Sequence, residues 1–384
     1  MIDLQEPRAR AAQSLARAEQ LGARVSRIAR RSLRVCAPLA AFAFAAAIAT
    51  AQDTVTLKDG KTETGRVKSA DYEGLALEAK GQSKTIERSQ VASIAYKDPP
   101  QEYLSGRDAF DNGKWDEALA FFEAIKAEKR APIRQEVFFF AAQCQLAKGA
   151  WDPAIAALDA MRKDFPKSWY LMEIGEGYVS AYTAKKDFAG AQKALDGMAT
   201  DAAAQGVAQG FAGAISVLKG RLLEDQGKTT EAAASYALGE KATGVSLVVQ
   251  QQARLGQGRC MFAQKKASDA EAIFRKLTGE DAPNAVLAGA WNGLGDIWLE
   301  EAKNKADAEQ TEKLLDAALA FMHSVVQYGP GPAESGRELC RGLEGSMRAF
   351  KALAAVEKNA EKKATYTLRA NERQQQLQRD CRGG

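Results

Sequence analysis

One short phrase occurs twice in the chain, as Gly113-Lys114-Trp115-Asp116-Glu117-Ala118-Leu119 and, 36 residues later, as Gly149-Ala150-Trp151-Asp152-Pro153-Ala154-Ile155. Each copy has a glycine, an aromatic residue two positions later, and an alanine three positions after that. Glycine suits a tight turn, and a spacing of this size is typical of stacked helical hairpins. The sequence therefore predicts a repeat array in which each unit is a pair of antiparallel helices.

Small residues recur along the chain in step with these two copies. At the point where two helices of a hairpin would cross, the chain has Gly106, Ala142, Gly220, Gly258 and Gly295. In the second helix it has Ala118, Ala154, Ala191, Ala232, Ala270 and Ala318, each followed one turn later by a large residue: Phe122, Leu158, Leu195, Tyr236, Phe274 and Met322. Small residues let two helices approach closely, and the large ones fill the gap to the next hairpin. We expect about six hairpins over residues 101–330, with 11 extra residues in the sixth.

The segment Trp291-Asn292-Gly293-Leu294-Gly295-Asp296-Ile297-Trp298 resembles the W-x-x-L-G-x-x-aromatic signature of tetratricopeptide repeats. The resemblance implies a mainly α fold, an α-solenoid of helical hairpins whose first helices line a concave, protein-binding face. Carried over position by position, the candidate protein-binding residues are Tyr103, Arg107, Phe139, Gln143, Arg221, Arg259 and Asn292. Three of them are arginines at matching positions. Two interpretations of these arginines remain open, namely that they grip a peptide's carboxylates or carbonyls, or that they are solvated charges.

Residues 52–98 have a different pattern, with short alternating stretches separated by Asp59-Gly60, Glu73-Gly74 and Lys80-Gly81. These features predict four or five short strands joined by tight turns. The run resembles the SH3-like or Sm-like modules at the front of some exported bacterial repeat proteins, so we expect a small β-barrel-like module. It is either an adaptor that accepts a strand on an open edge or a structural cap. Asp98-Pro99-Pro100 closes it as a stiff linker.

The N-terminal residues 1–51 have the pattern of an export signal. They contain eight arginines, no lysine and three acidic residues. An apolar run from Ala37 to Ile48 follows the basic stretch, and Ala49-Thr50-Ala51 supplies a small-x-small cleavage pattern. We expect cleavage after Ala51 and a location in the periplasm or cell envelope. The alternative is an uncleaved segment, residues 35–51, that anchors the protein in the inner membrane, although this apolar run is short for a stable span.

The C-terminal part begins after Gly329-Pro330-Gly331-Pro332, which breaks the array. Residues 331–355 have helical periodicity and are expected to form a helix that caps the last hairpin. Residues 356–384 are charged and glutamine-rich, which predicts a solvated helix or a frayed tail. Cys144 and Cys260 follow the crossing residues by two positions and are expected in the core. Whether Cys340 and Cys381 pair, the sequence leaves open.

Composition excludes several classes of function. The residues after 51 carry 45 basic and 46 acidic side chains, so no strong field attracts nucleic acid. His323 is the single histidine, and no constellation meets the requirements of a catalytic or metal site. We expect no cofactor, no metal and no enzymatic activity. The sequence favours a non-enzymatic scaffold of the bacterial cell envelope that binds a protein or peptide. The alternatives are a polysaccharide-binding protein that stacks sugars on Trp115, Trp151 and Trp169, and an enzyme that uses acidic residues across a cavity.

Overall fold

The computed structural model describes residues 52–207, 210–330 and 336–381. The export signal expected in residues 1–51 lies outside these described residues, so it stays a prediction. In the described part of the chain, no helix combines the length and the apolar character needed to cross a bilayer.

A small antiparallel sheet comes first in the described chain. Its strands are β1 (Asp53–Leu57), β2 (Thr62–Ala70), β3 (Gly74–Ala79), β4 (Gln82–Glu87) and β5 (Val91–Ala95), in the order β4-β3-β2-β1-β5. Gly60 adopts a φ of +84° in the predicted turn between β1 and β2, a conformation that favours glycine. The expected strands are confirmed. The two edge strands, β4 and β5, do not pair with each other, so the sheet curls around a small core without closing into a barrel.

Fourteen helices follow in the described residues, and the predicted mainly α solenoid of hairpins is confirmed. Six pairs correspond to the six expected hairpins: α1 (Gln101–Asp111) with α2 (Trp115–Ala124), α3 (Ala131–Ala147) with α4 (Trp151–Asp164), α5 (Leu171–Ala184) with α6 (Phe188–Ala204), α7 (Gly210–Asp225) with α8 (Thr229–Lys241), α9 (Leu247–Ala263) with α10 (Ala267–Thr278), and α11 (Asn284–Ala302) with α12 (Asp307–Gln327). The last two helices are α13 (Arg337–Val356) and α14 (Ala360–Asp380).

Glycines on the first helices make the stacking of hairpins possible. A methyl group on Gly258 would lie 2.6 Å from the Phe274 ring of its own hairpin. One on Gly256, two residues earlier, would lie 2.3 Å from the Tyr236 ring of the preceding hairpin. The same pair of approaches recurs in the sixth hairpin, at Gly295 and Gly293. Alternate glycines therefore let one helix touch the large side chains on both sides of it, which explains the recurring small residues.

The sixth hairpin differs in one detail from the prediction. Phe321, rather than Met322, lies against the crossing residue Gly295. Ala317, four residues before Phe321, is completely buried and takes the place of the small residue in the second helix. The extra residues lengthen both α11 and α12, to 19 and 21 residues. The lengthened part packs against the helices that follow, because Ala302 and Leu314 share a core with residues of α13 and α14.

The helices α13 and α14 form a seventh hairpin. α13 covers the predicted capping segment, and α14 lies within the segment predicted to be a solvated helix or a tail. Gly345 of α13 approaches the Phe321 ring as Gly293 approaches Phe274, so α13 stacks like another first helix. A disulfide joins Cys340 in α13 to Cys381 directly after α14. Cys144 and Cys260 are buried free thiols, as expected.

Candidate protein-binding surface

All seven candidate residues lie on first helices: Tyr103 and Arg107 on α1, Phe139 and Gln143 on α3, Arg221 on α7, Arg259 on α9 and Asn292 on α11. The resemblance to tetratricopeptide repeats implies that first helices line the concave side of the solenoid. The structure divides these residues into three groups. The first is part of a tyrosine–glutamate cluster near the β module, the second stays partly exposed, and the third lies beneath α13.

The first group is centred on a buried carboxylate that the sequence analysis missed. Glu136 of α3 accepts a hydrogen bond from the Tyr103 hydroxyl at 2.5 Å and another from the Tyr96 hydroxyl at 2.9 Å. The Arg107 guanidinium lies 3.5 Å away from the same carboxylate. Burial raises the pKa of Glu136, and these three neighbours oppose the shift without cancelling it. The Tyr103 hydroxyl is therefore hydrogen-bonded within the protein, while part of the Arg107 side chain is exposed to solvent.

The tyrosine–glutamate cluster belongs to a larger interface between the β module and the array. The Gln135 side chain donates to the Ala70 carbonyl at 2.9 Å, and its own oxygen accepts from the Ser168 hydroxyl and the Trp169 amide. A buried glutamine with both ends satisfied fixes the relative position of the elements it joins. This contact links strand β2 to α3 and to the loop that precedes α5.

Two side chains of the β module extend this interface to later hairpins. Arg88 forms an ion pair of 2.9 Å with Glu173 on α5. The Tyr72 ring meets the Phe211 ring of α7 edge to face, with 5.0 Å between their centroids. Because Tyr96 already contacts α1 and α3, the module touches the first helices of four hairpins. It braces that part of the array rather than capping one end of it.

Phe139 and Gln143 lie one helical turn apart on α3 but differ in exposure. Phe139 is 2 % exposed and stacks on the Tyr170 ring, with 4.0 Å between centroids. It is therefore a packing residue. Gln143 is partly exposed. Arg221, on α7, is partly exposed too, and its guanidinium lies 3.4 Å from the Glu176 carboxylate on α5.

Arg259 and Asn292 are covered by the first turn of α13. The Asn292 amide donates to the Glu338 backbone carbonyl at 2.9 Å and to its carboxylate at 3.1 Å. The other carboxylate oxygen of Glu338 accepts from the Arg259 guanidinium. All three residues are buried, and Asn292 has no exposed surface. These two candidates contact the chain's own helix in this structure, so they are not open to a partner.

Charge explains how a carboxylate can be buried there. Burial alone would raise the pKa of Glu338, but Arg259, Arg341 and Arg337 hold it at about 2. The arginines have acidic neighbours in turn. Arg337 pairs with Asp225 at 2.6 Å, which joins α13 to α7 across 112 residues of sequence. Arg341 and Arg348 both approach Asp296 on α11, at 3.5 Å and 2.8 Å.

A cleft of about 380 Å³ remains between α13 and the first helices of hairpins 4–6. Its lining includes Glu224, Asp296, Arg341 and Arg348 beside the Phe262 ring. The arginines lower the pKa of Glu224 although burial opposes them, so Glu224 is not a protonated acid at neutral pH. Glu224 therefore does not supply the protonated carboxyl group that the acidic-enzyme alternative would need in this cleft.

The three tryptophans considered for sugar stacking are partly buried and make contacts within the protein. The Trp115 ring packs edge to face on Phe110, with 5.2 Å between centroids. Trp151 packs against the main core. The Arg88 guanidinium lies 5.5 Å from the Trp169 ring at the interface with the β module. These three rings do not form an exposed aromatic platform on which a sugar could stack.

His323 is exposed and stacks on the Trp291 ring, with 4.4 Å between centroids. Its Nδ1 lies 3.0 Å from the Gln327 side-chain oxygen. Among the described residues, no group of three or more histidine, cysteine, aspartate or glutamate side chains is arranged to hold a metal ion.

Comparison with known proteins places two parts of the array in a family. Models of the tetratricopeptide repeat match residues 109–172 and 217–285. A tetratricopeptide repeat protein from Parabacteroides merdae is 16 % identical, with a TM-score of 0.37, and the match covers 71 % of this chain and 99 % of that one. The C-terminal part of a repeat-containing protein from Cytophaga hutchinsonii is 12 % identical, with a TM-score of 0.36, covering 69 % and 99 %. No curated protein matches the sequence. The matches indicate no catalytic family.

Proposed function

We propose that this chain, a tetratricopeptide-repeat protein with a strand-rich module in front of its repeats, is a non-enzymatic scaffold that binds a protein segment in the bacterial cell envelope. The repeats support a role in protein–protein interaction in general. The finer proposal concerns the place of binding. It is a polar strip on the concave face of hairpins 1–4, formed by Arg107, Gln143, Ser180 and Arg221, and we refer to it below as the open strip.

The observation that supports this proposal concerns one equivalent position on successive first helices, which is at least partly exposed in hairpins 1–4 and covered in hairpin 5. The residues of the open strip occupy matching positions on α1, α3, α5 and α7, and all of them keep exposed surface. Arg259, at the same position on α9, is covered by α13. Two arginines with a glutamine and a serine between them suit an extended peptide, whose carbonyls and carboxylates accept hydrogen bonds.

Location in the envelope is part of the same proposal. The basic and apolar stretches of residues 1–51 have the order of an export signal. The disulfide between Cys340 and Cys381 supports the proposal, since disulfides persist in the periplasm and are rare in the reducing cytoplasm. Retrieval of the protein from a periplasmic fraction, with a mass that corresponds to a chain starting at Gln52, would test both export and cleavage. A full-length chain found in the cytoplasm would contradict this part.

Photo-crosslinking in intact cells tests the binding surface. A photoreactive amino acid replaces Gln143 or Ser180 in the open strip, and Lys193, exposed on the second helix α6, serves as the control position. We expect the same partner to be captured from positions 143 and 180 but not from 193. Capture of one protein equally from all three positions, or of none from the two strip positions, would contradict the proposal.

The contribution of Arg221 can be measured once the partner is known. Its replacement in Arg221→Ala is expected to weaken binding about tenfold or more, because arginines at the centre of an interface are often hot spots. The matched control is Lys193→Ala, which is expected to leave affinity unchanged.

A further inference from the structure

The second helix of the seventh hairpin is unlike the other second helices. Those of hairpins 1–6 each bury a large side chain between neighbouring first helices, as Tyr236 and Phe274 do. In α14, which is 21 residues long, Ala370 is the single buried residue. Packing of an apolar face normally supplies most of a helix's stability in a protein, so α14 has little of its own to hold it in place.

The helices α13 and α14 lie side by side, but α14 contributes few apolar side chains to the interface between them. Tyr366 and Ala370 are its contributions to the core that contains Phe350, Leu353 and Val356 of α13. Lys351 of α13 donates to the Gln374 side chain at 3.5 Å, at an exposed position. The disulfide ties the C-terminal end of α14 to the beginning of α13.

The chemistry of the four cysteines after residue 51 makes this bond the selective target of a reductant. Cys340 and Cys381 are partly exposed. Burial raises the pKa of both Cys144 and Cys260 to about 12, so neither is a thiolate that could attack the disulfide at neutral pH. Exchange with the buried thiols is therefore not expected, and the Cys340–Cys381 pair opens and closes independently of the core.

We propose that the Cys340–Cys381 disulfide is a redox gate on the docking of α14. In the oxidised protein, α14 covers the outer side of α13. A dithiol reductant, such as a thioredoxin-like protein, attacks one sulfur with its thiolate and forms a mixed disulfide, and its second thiol then displaces the protein sulfur. Two electrons and two protons pass to the protein, which gains two thiols, and the reductant becomes a disulfide. Without the tie, α14 leaves α13 and uncovers the apolar side chains of Phe350, Leu353 and Val356.

The gate does not extend to α13. Buried or half-buried ion pairs from Arg337, Glu338 and Arg341 hold its first turn, and Gly345 interlocks with Phe321. These contacts contain no cysteine. Reduction is therefore expected to release one helix and to leave the stacking of the seven first helices unchanged. A disulfide that controls α14 alone therefore differs from one that stabilises the whole array, because loss of the latter would weaken every hairpin.

Limited proteolysis by trypsin of the full chain tests the proposal, with cut positions identified by mass spectrometry. Potential sites on α14 include Arg369 and Arg373, and those on α13 include Arg348 and Lys351. We expect cleavage at Arg369 and Arg373 to accelerate at least tenfold with dithiothreitol, while cleavage at Arg348 and Lys351 keeps its rate. In Cys381→Ser, α14 is expected to be cleaved at the fast rate with or without reductant.

Two results would overturn the proposal. Equal and slow cleavage of α14 in the oxidised and reduced protein would show that its other contacts suffice. If reduction also accelerated tryptic cleavage in α13 and in hairpins 1–6, the disulfide would stabilise the whole fold rather than α14 alone. The control is Cys144→Ala with Cys260→Ala, which replaces the buried thiols by the residue that suits close helix crossings and keeps the disulfide. This control should respond to dithiothreitol as the unaltered chain does.

Discussion

Two buried glutamates on first helices, Glu136 of α3 and Glu338 of α13, are stabilised by different kinds of neighbour. Glu136, near the β module, is bound by two tyrosine hydroxyls and lies 3.5 Å from one arginine. Glu338, at the other end of the array, contacts the Arg259 guanidinium and the Asn292 amide, with further arginines close by. Burial raises the pKa of the first, whereas the arginines lower the pKa of the second to about 2.

The difference shows that burial alone does not decide the charge of a carboxyl group. Neutral hydroxyl groups stabilise a carboxylate less than guanidinium groups do. The pKa of Glu136 is therefore raised by burial, whereas the pKa of Glu338 is lowered by the neighbouring arginines. The two ends of the array are consequently expected to respond differently to mutation and to pH. The β module is joined by largely neutral hydrogen bonds and aromatic contacts, while α13 is joined by ion pairs.

Removal of the carboxylate at position 338 should have the largest effect. Gly256, Gly293 and Gly345 are the glycines that face the aromatic ring of the preceding hairpin. Seven residues before them, α9 and α11 have Val249 and Val286, and α13 has Glu338 instead. The substitution Glu338→Val restores the apolar residue but leaves Arg259 buried without its nearest carboxylate, which typically costs about 3–5 kcal/mol. We expect a loss of this size in the unfolding free energy of the C-terminal hairpins, measured by denaturation in urea.

Two further variants make that measurement decisive. Glu344→Val makes the same chemical change on an exposed position of α13 and is expected to alter stability by less than about 0.5 kcal/mol. The double change Arg259→Leu with Glu338→Val removes both charges and should recover much of the loss. If Glu338→Val were no worse than Glu344→Val, the ion pairs would not be what holds α13.

The second-largest effect is expected from acid, which should change the stability of the two ends of the array in opposite directions. Glu338 has a pKa of about 2 in the folded protein, below its ordinary value of 4.5. Its contribution to the free energy of unfolding is therefore complete above pH 4.5 and is lost as the pH falls toward 2. The shift corresponds to roughly 3 kcal/mol. For Glu136 the sign is reversed, because a raised pKa means that the folded state binds the proton more tightly. Its ionised form is unfavourable, and protonation on mild acidification relieves that cost.

Hydrogen exchange at several pH values, corrected for the intrinsic rate, measures both responses in one sample. We expect protection of α13 to fall in strong acid, and protection around Glu136 to rise from neutral pH to mildly acidic pH. In Glu338→Gln the loss of protection of α13 in acid should disappear. A common pH response at both ends would contradict the assignment of opposite shifts.

A smaller effect is expected from the stacking of α13. In Gly345→Ala the new methyl group would lie 2.2 Å from the Phe321 ring, which is closer than side chains tolerate. Overpacking of this kind costs about 1–3 kcal/mol. The control is Gly279→Ala, directly after α10, where the new methyl group would lie 3.6 Å from the Lys276 carbonyl oxygen and stability should not fall. Thermal unfolding of the two variants makes the comparison, and equal melting temperatures would mean that α13 does not stack as a first helix.

The sequence predicted the features that depend on local periodicity. The spacing of Gly258 and Ala270, repeated along the chain, placed the hairpins, and the alternation around Thr54 and Val55 placed the strands. It also placed every candidate binding residue on a first helix. Periodicity cannot indicate which helices contact each other when they are far apart in the sequence. The contact between Arg259 and Glu338 spans 79 residues, and the spacing of the repeats does not show that these two side chains meet.

The same limit applies at the other end and in the tail. Glu136 lies in an ordinary amphipathic stretch, and only the docking of the β module brings Tyr96 to it. A seventh hairpin was not predicted because α14 lacks the large apolar residue that identifies the other second helices. One usable signal was available. An acidic residue seven positions before Gly345, where α9 and α11 have valine, points to a charged partner on the neighbouring helix.

The smallest of these effects concerns the hydroxyl of Tyr103. In Tyr103→Phe, Glu136 keeps the Tyr96 hydroxyl and the more distant Arg107 but loses its shortest hydrogen bond. A hydrogen bond to a charged group contributes about 1.5 kcal/mol, and less is at stake when the carboxyl group is protonated. We therefore expect a loss of about this size at neutral pH that shrinks in mild acid, measured by denaturation in urea at both pH values. Tyr182→Phe is the control, because its hydroxyl makes no hydrogen bond to the described residues. An equal loss at both pH values would mean that Glu136 does not change its protonation state between them, and that the two ends of the array differ less than their donors suggest.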